Sequence, residues 1–249
     1  MTGCEVDLAY REDRLVALYD VLNSGRADHA YYRRLSASLS GRVLEVGCGT
    51  GAAITFMARA GLELYGLDPA AGMLSVARHR DGGDLVSWHE GTIEHFGEDG
   101  PFEMIFMTGH AFQCLLQDNE IMSFFKCCAR LLSESGILTF ETRNPALRPW
   151  ERWVPEVSEV EVTSPTGERV KVWHDLVEVD DDKVTFIQHH AFQTSGDVIR
   201  SASTLRFLDL DALLRFGEAA GLRLSWVHGD FEGKTFEKGD RELILGFKR

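Results

Sequence analysis

The stretch VLEVGCGTGAAI, residues 43–54, constrains this chain more than any other. A short β-rich run, RVLEV, ends in Gly47, Gly49 and Gly51, and a helix-forming segment follows. Bare backbone there lets a strand-to-helix turn pass close to a ligand, and the helix N-terminus offers unpaired N–H groups beside it. Gly47, Gly49 and Ala52 satisfy the G-x-G-x-x-(G/A) spacing, and Asp68 stands about 20 residues on, at the end of the next predicted strand. An acid there can hold both hydroxyls of a ribose. The pair of features points to an adenosine-containing ligand without naming it. Glu45 narrows the choice: an acid two residues before Gly47 repels a pyrophosphate but suits a ligand carrying an amino group and a sulfonium.

The flanking pattern gives the architecture. AAITFMARAG reads as a helix stopped by Gly61, LELYGLD as a strand, and PAAGMLSVARHR as a helix with Pro69 at its first position. LVSWHE, FEMIFMTG and GILTFET read as strands, with a helix capped near Asp118 before the last of them. Strand–helix alternation predicts a Rossmann-like, doubly wound α/β fold with a mostly parallel seven-stranded sheet. Residues 8–40 read as helical, broken at NSG and restarted at a cap on Asp28. After the fifth strand the rhythm changes. Residues 156–207 hold no helical pattern and read as about four strands joined by SPTG, DDD and TSGD, an antiparallel β-meander. A helix capped by Asp209 and stopped by Gly221, then two strands, closes the chain. The expected organisation is a core of residues 1–145 and 208–249 with a β insertion or lid over 146–207.

The strings EVGCGTG and GLDP resemble the first two motifs of the class I S-adenosylmethionine-dependent methyltransferases. The resemblance covers residues 40–145 and extends loosely to the closing strands. It is nearest to bacterial small-molecule methyltransferases with an antiparallel insert, several of which carry a similar Gly-His-Ala-Phe-Gln string. It implies S-adenosylmethionine as cofactor and no metal. Gly47, Cys48 and Gly49, with Glu45, would meet its methionine part, Asp68 and Pro69 the ribose side, and Met73 the adenine. EGTIEHF matches the third motif, but Thr92 stands where an acid often contacts the adenine amine, leaving that contact to Thr92 or Ile93. Tyr19, Tyr31 and Tyr32 are candidates for the aromatic cover near the N-terminus.

Ligands of such sheets lie outside the carboxyl ends of the strands. Thr108, Gly109 and His110 should therefore face the cofactor's reactive end, with Met107 beside it. A histidine takes a proton near neutral pH, so His110 is the candidate general base, or else a group that only lines the pocket; Gln113 and Phe112 would shape the substrate pocket, unless Phe112 belongs to the core. FETRNPALRPWERW leaves the fifth strand at the same end. Arg143 and Asn144 should overhang the pocket, Arg143 binding a carboxylate or phosphate. Trp150 and Trp153 form either a substrate wall or a clasp on the insert. His189 and His190, being adjacent in a strand, point to opposite faces and make no metal pair.

The expected reaction is methyl transfer to an N or O nucleophile of a small molecule. Transfer to a peptide or protein, and non-catalytic cofactor binding, are the alternatives. The chain holds 26 Lys and Arg against 39 Asp and Glu, a net charge of −13, which disfavours a nucleic-acid partner. The five cysteines, Cys4, Cys48, Cys114, Cys127 and Cys128, lack C-x-x-C spacing and read as reduced thiols. With no signal peptide or membrane-length apolar run, a cytoplasmic location is expected. Exposed strand edges of the insert leave room for a homodimer.

Overall fold

The computed structural model describes residues 6–249; Cys4 lies outside them. Helices α1 (Leu8–Arg11), α2 (Asp13–Leu22) and α3 (Ala27–Leu35) precede β1 (Arg42–Val46). Then follow α4 (Ala52–Phe56), β2 (Glu63–Asp68), α5 (Ala71–His79), β3 (Val86–Glu90), β4 (Phe102–Met107), α6 (Asp118–Leu131) and β5 (Leu132–Arg143). A short α7 (Pro155–Ser158) leads into β6 (Val160–Thr163), β7 (Arg169–Asp180), β8 (Lys183–Phe192) and β9 (Val198–Arg206). The chain closes with α8 (Leu210–Ala219), β10 (Arg223–His228) and β11 (Glu242–Lys248).

Seven strands form one sheet in the order β10-β11-β5-β4-β1-β2-β3. β1 to β5 pair in parallel, and β11 is antiparallel to both its neighbours. Strand order reverses between β1 and β4, the switch point where ligands of open α/β sheets bind. Side-chain alternation along β1 explains the two-sided core. Leu44 and Val46 pack with α6 and α8 on one face, and Val43 packs with α3 and α4 on the other. Gly217 of α8 is fixed by packing: a Cβ there would lie 2.5 Å from the Phe247 ring.

β6 to β9 form a separate antiparallel sheet in meander order, inserted after β5. Its inner face rests on the core at two places. Val170, Val172 and Phe192 pack on Leu15 and Leu18 of α2, and Val184 packs on Trp150 and Phe207.

Three local expectations are corrected. The helix after the glycines ends at Phe56, not near Gly61. The amides of Met57 and Ala58 reach back only three residues, and the Arg59 guanidinium is drawn out to Ser36 Oγ and the Leu39 carbonyl. Asp28 lies inside its helix, whereas α6 is capped next to Asp118 as expected. The caps are Arg26 and Gln117, the latter donating its amide to Glu120 at 2.9 Å. Pro69 precedes the Ala70 cap of α5 instead of opening the helix, because Asp68 Oδ1 takes the Ala70 amide and sets the turn. Asp209 caps α8 through the Ala212 amide at 2.7 Å, and Gly221 follows that helix at φ +81°.

Candidate active site

Gly47, Gly49 and Gly51 all hold positive φ, at +69°, +52° and +73°. They serve different ends. A Cβ on Gly51 would lie 2.4 Å from Trp88, so that glycine seats the loop on β3. A Cβ on Gly47 would lie 3.0 Å from Ala111, and one on Gly49 would lie 3.2 Å from Met73 Cε, so these two let the turn pass close to the loop after β4 and to α5. The amides of Gly47 and Cys48 donate to the Leu67 carbonyl at 2.8 and 3.1 Å. The Gly49 amide donates to Asp68 Oδ2 at 2.7 Å. These residues thus offer a ligand carbonyl oxygens and bare Cα surface. The Cys48 side chain is buried, turned towards Gly66.

Asp68 holds the loop together. It is 7% exposed, and its two oxygens accept from the Gly49 and Ala70 amides. A carboxylate has about four acceptor positions, so two remain for hydroxyl donors. Burial raises its pKa and the two amides oppose that. Gly91 ties in beside it, donating to the Asp68 carbonyl at 3.0 Å. The next residue, Thr92, is exposed, with its hydroxyl against His95 Nδ1 at 3.2 Å, while Ile93 is buried in the core. Pro69 is exposed.

Beneath the loop lies Glu45, 1% exposed. It accepts from the Ile54 amide at 3.1 Å and the Thr108 hydroxyl at 2.7 Å, and burial pushes its pKa up to about 8. Both oxygens are engaged by protein, so Glu45 binds the start of α4 to the loop after β4. Met107 Cε stands 3.5 Å from the position a Gly47 Cβ would take. Sequence reading missed a second buried acid, Glu141. It accepts from the Tyr32 hydroxyl and from the His110 amide at 3.3 Å, and burial raises its pKa to about 8. No motif marks it; a lone Glu in the apolar run GILTFET was the available signal.

Over the cleft, Tyr19 of α2 packs with Met73 and Val16, and its hydroxyl lies near Gly109. Tyr10, not singled out in the sequence, meets Tyr19 edge-on at 6.1 Å. The Asp68 charge adds to the burial that raises both phenol pKa values. Tyr31 and Tyr32 go elsewhere. Tyr31 bonds His228 Nδ1 at 2.8 Å, and Tyr32 is wholly buried against Glu141.

His110 sits at φ +60°, a left-handed conformation costly for a non-glycine residue and found at functional sites. Its Nε2 lies 2.8 Å from Glu242 Oε2 at the start of β11. Burial and the Arg143 charge hold its pKa below the usual imidazole range, against the opposing pull of Glu242. Burial and Arg143 both favour the neutral ring. Sequence reading missed Glu242, which is 132 residues away and reaches His110 only through the β11–β5 register opposite Arg143.

Arg143 donates to Gln113 Oε1 at 2.8 Å, and Gln113, fully buried, is braced by the Arg206 carbonyl at 3.1 Å. Gln113 is a strut for Arg143. Phe112 takes the core place of its two expected ones, stacked on Phe140 at 4.3 Å among Phe124 and Phe125. Asn144 is likewise not an overhanging group: it is 4% exposed and donates to the carbonyls of Lys238 and Asp240. Trp150 packs on Phe207 at 4.6 Å and clasps the insert. Trp153 lies on Phe186 at 4.6 Å with the Arg143 guanidinium 5.8 Å from its ring. His189 and His190 take opposite faces of β8, paired with Trp173 and Val172. Among the described residues no cluster of His, Cys, Asp and Glu is placed to hold a metal.

A positive-φ glycine turn, Asp68 at the end of β2 and Tyr19 packed on Met73 thus come together at the carboxyl end of the parallel strands. With β11 turned antiparallel between β5 and β10, the chain has the Rossmann-like fold of solved methyltransferase structures. More narrowly, residues 43–136 match the family model described as "Methyltransferase domain". The chain is 33% identical over 132 residues to the ubiquinone biosynthesis O-methyltransferase of Sodalis glossinidius, covering 52% of this chain and 51% of that one. The chain spans about half the length of the curated relatives it matches. Solved structures match across almost the whole chain. The CcbJ methyltransferase from Streptomyces caelestis superimposes with a TM-score of 0.70 at 22% identity, covering 95% of this chain and 96% of that one. S-adenosylmethionine-bound CalS10, an amino pentose methyltransferase from Micromonospora echinaspora, gives 0.67 at 22%, covering 93% and 96%.

Proposed function

We propose that this chain transfers the methyl group of S-adenosylmethionine to an N or O nucleophile of a small molecule, by in-line displacement, releasing S-adenosylhomocysteine. The cofactor supplies an activated methyl on a sulfonium sulfur. Asp68 would hold its ribose, the Gly47–Gly49 backbone its methionine arm, and Thr92 and the Ile93 backbone the adenine edge, with Tyr19 and Met73 packing against it. Alignment and exclusion of water then do most of the work, and the covering α1–α2 segment and β insert suit both.

The observation that carries the reading is the His110–Glu242 pair at 2.8 Å. A carboxylate on Nε2 fixes the proton there and leaves the Nδ1 lone pair as base. His110 would take the acceptor's proton at Nδ1 as the acceptor bonds to carbon. Relatives named for O-methylation of a ubiquinone precursor pathway and for amino sugar methylation support a small-molecule acceptor and leave both N and O open.

The test is incubation with methyl-labelled cofactor and metabolite, protein and RNA fractions, alongside calorimetry with S-adenosylhomocysteine. Label in a metabolite supports the proposal. Label in protein moves the function to the peptide alternative, and failure to bind S-adenosylhomocysteine overturns it.

A further inference from the structure

Arg143 is a partly buried cation with almost no protein partner. Of the five N–H donors of its guanidinium, one interaction is made, from Nη1 to Gln113 Oε1 at 2.8 Å. Among the described residues no carboxylate lies within ion-pair distance. Glu242, its neighbour across the β5–β11 pair, is engaged by His110. A cation so placed costs free energy unless an anion completes it.

The insert brings a second donor to the same place. The His174 ring on β7 lies 6.5 Å from Trp153, the ring that Arg143 overhangs, and 5.6 Å from Phe186. Gln188 Nε2 meets His174 Nε2 at 3.1 Å, which puts the proton of the neutral imidazole on Nδ1. That Nδ1 is buried and has no hydrogen-bond partner. Burial, and then the Arg143 charge, lower the His174 pKa, and both groups lie against Trp153.

The geometry points to an acceptor subsite shared between core and insert that takes a carboxylate: Arg143 and His174 Nδ1 grip the anionic group, and Trp153 and Phe186 flank an apolar body. This rests on the methyltransferase reading and names the substrate class for it. One guanidinium and one neutral N–H match a monoanion. A phosphate dianion would be under-compensated beside Glu242. The bidentate fork of arginine suits a planar carboxylate.

The test uses the full chain loaded with S-adenosylhomocysteine and titrated with benzoate, benzamide and phenyl phosphate by calorimetry. Benzoate should bind at least tenfold tighter than benzamide and tighter than phenyl phosphate. Arg143→Gln should abolish that preference, Arg143→Lys should restore part of it, and His174→Phe should weaken benzoate several-fold. All three variants should keep the wild-type affinity for S-adenosylhomocysteine, which checks the fold. Equal binding of benzoate and benzamide, no binding of either, or a preference for phenyl phosphate would overturn the carboxylate subsite alone. Failure of the wild-type chain to bind S-adenosylhomocysteine would overturn the function beneath it.

Discussion

Single side chains here do two jobs at once, and Asp68 is the plainest case. Its carboxylate holds the Gly49 and Ala70 amides and still has acceptor positions for a ribose. Asp68→Ala should therefore raise the Kd for S-adenosylhomocysteine by about 10²-fold and also destabilise the chain by about 1–3 kcal/mol, since it orphans buried amides. Calorimetry and urea titration check the two effects separately. His110→Ala should cut kcat by about 10²–10⁴-fold with cofactor affinity unchanged. The pH dependence has a definite sign. The base must be neutral, and its pKa lies below 6.5, so kcat should rise on an acid limb and be flat by neutrality. Glu242 pulls that pKa upward, so Glu242→Gln should move the limb to lower pH while lowering the plateau. An unmoved limb would assign the titration to another group.

The strand ends carry a linked property. Glu45 on β1 and Glu141 on β5 are buried acids with pKa values raised from 4.5 to about 8. Between those values the folded chain holds protons that the unfolded chain has lost. Their stabilising contribution is full below pH 4.5 and is lost as pH rises through 8. The Tm should fall from pH 6 to pH 9, and Glu141→Gln should flatten that fall in a melting series. The glycine turn belongs to the same scale. Gly51→Ala adds a Cβ 2.4 Å from Trp88 at φ +73° and should cost about 1–3 kcal/mol, with activity recovered wherever the fold survives.

At the scale of the molecule, the insert is a roof, and Arg206 is one of the ties that hold it. Arg206 at the end of β9 binds Asp182 at 2.8 Å and reaches Asp118 of the core at 2.7 Å, while its carbonyl braces Gln113. Arg206→Ala should speed hydrogen exchange across β8 and β9. It should also raise the acceptor KM several-fold and leave cofactor affinity unchanged. Equal exchange in variant and parent would mean that the packing on α2 and on Trp150 and Phe207 seats the insert without Arg206.

The sequence by itself determined the alternating core, the place of the meander and the glycine–Asp68 pairing. Each is written in spacing that the backbone must obey: period 2 in strands, positive φ at glycine, an acid one strand away. Placing Phe112, Asn144, Glu141 and Glu242 was beyond it. Phe112 follows the site loop, yet its ring is worth more on Phe140 than in a polar cleft. Asn144 ends a strand at the right edge, yet the 238–241 loop takes its amide. Glu242 meets His110 only because β11 runs antiparallel beside β5, a pairing across 132 residues with no local signature. His174 likewise shares the Trp153 ring with Arg143 only once the second sheet folds over the first. Local spacing sets the elements; which side chains meet across them was decided by how the two sheets pack.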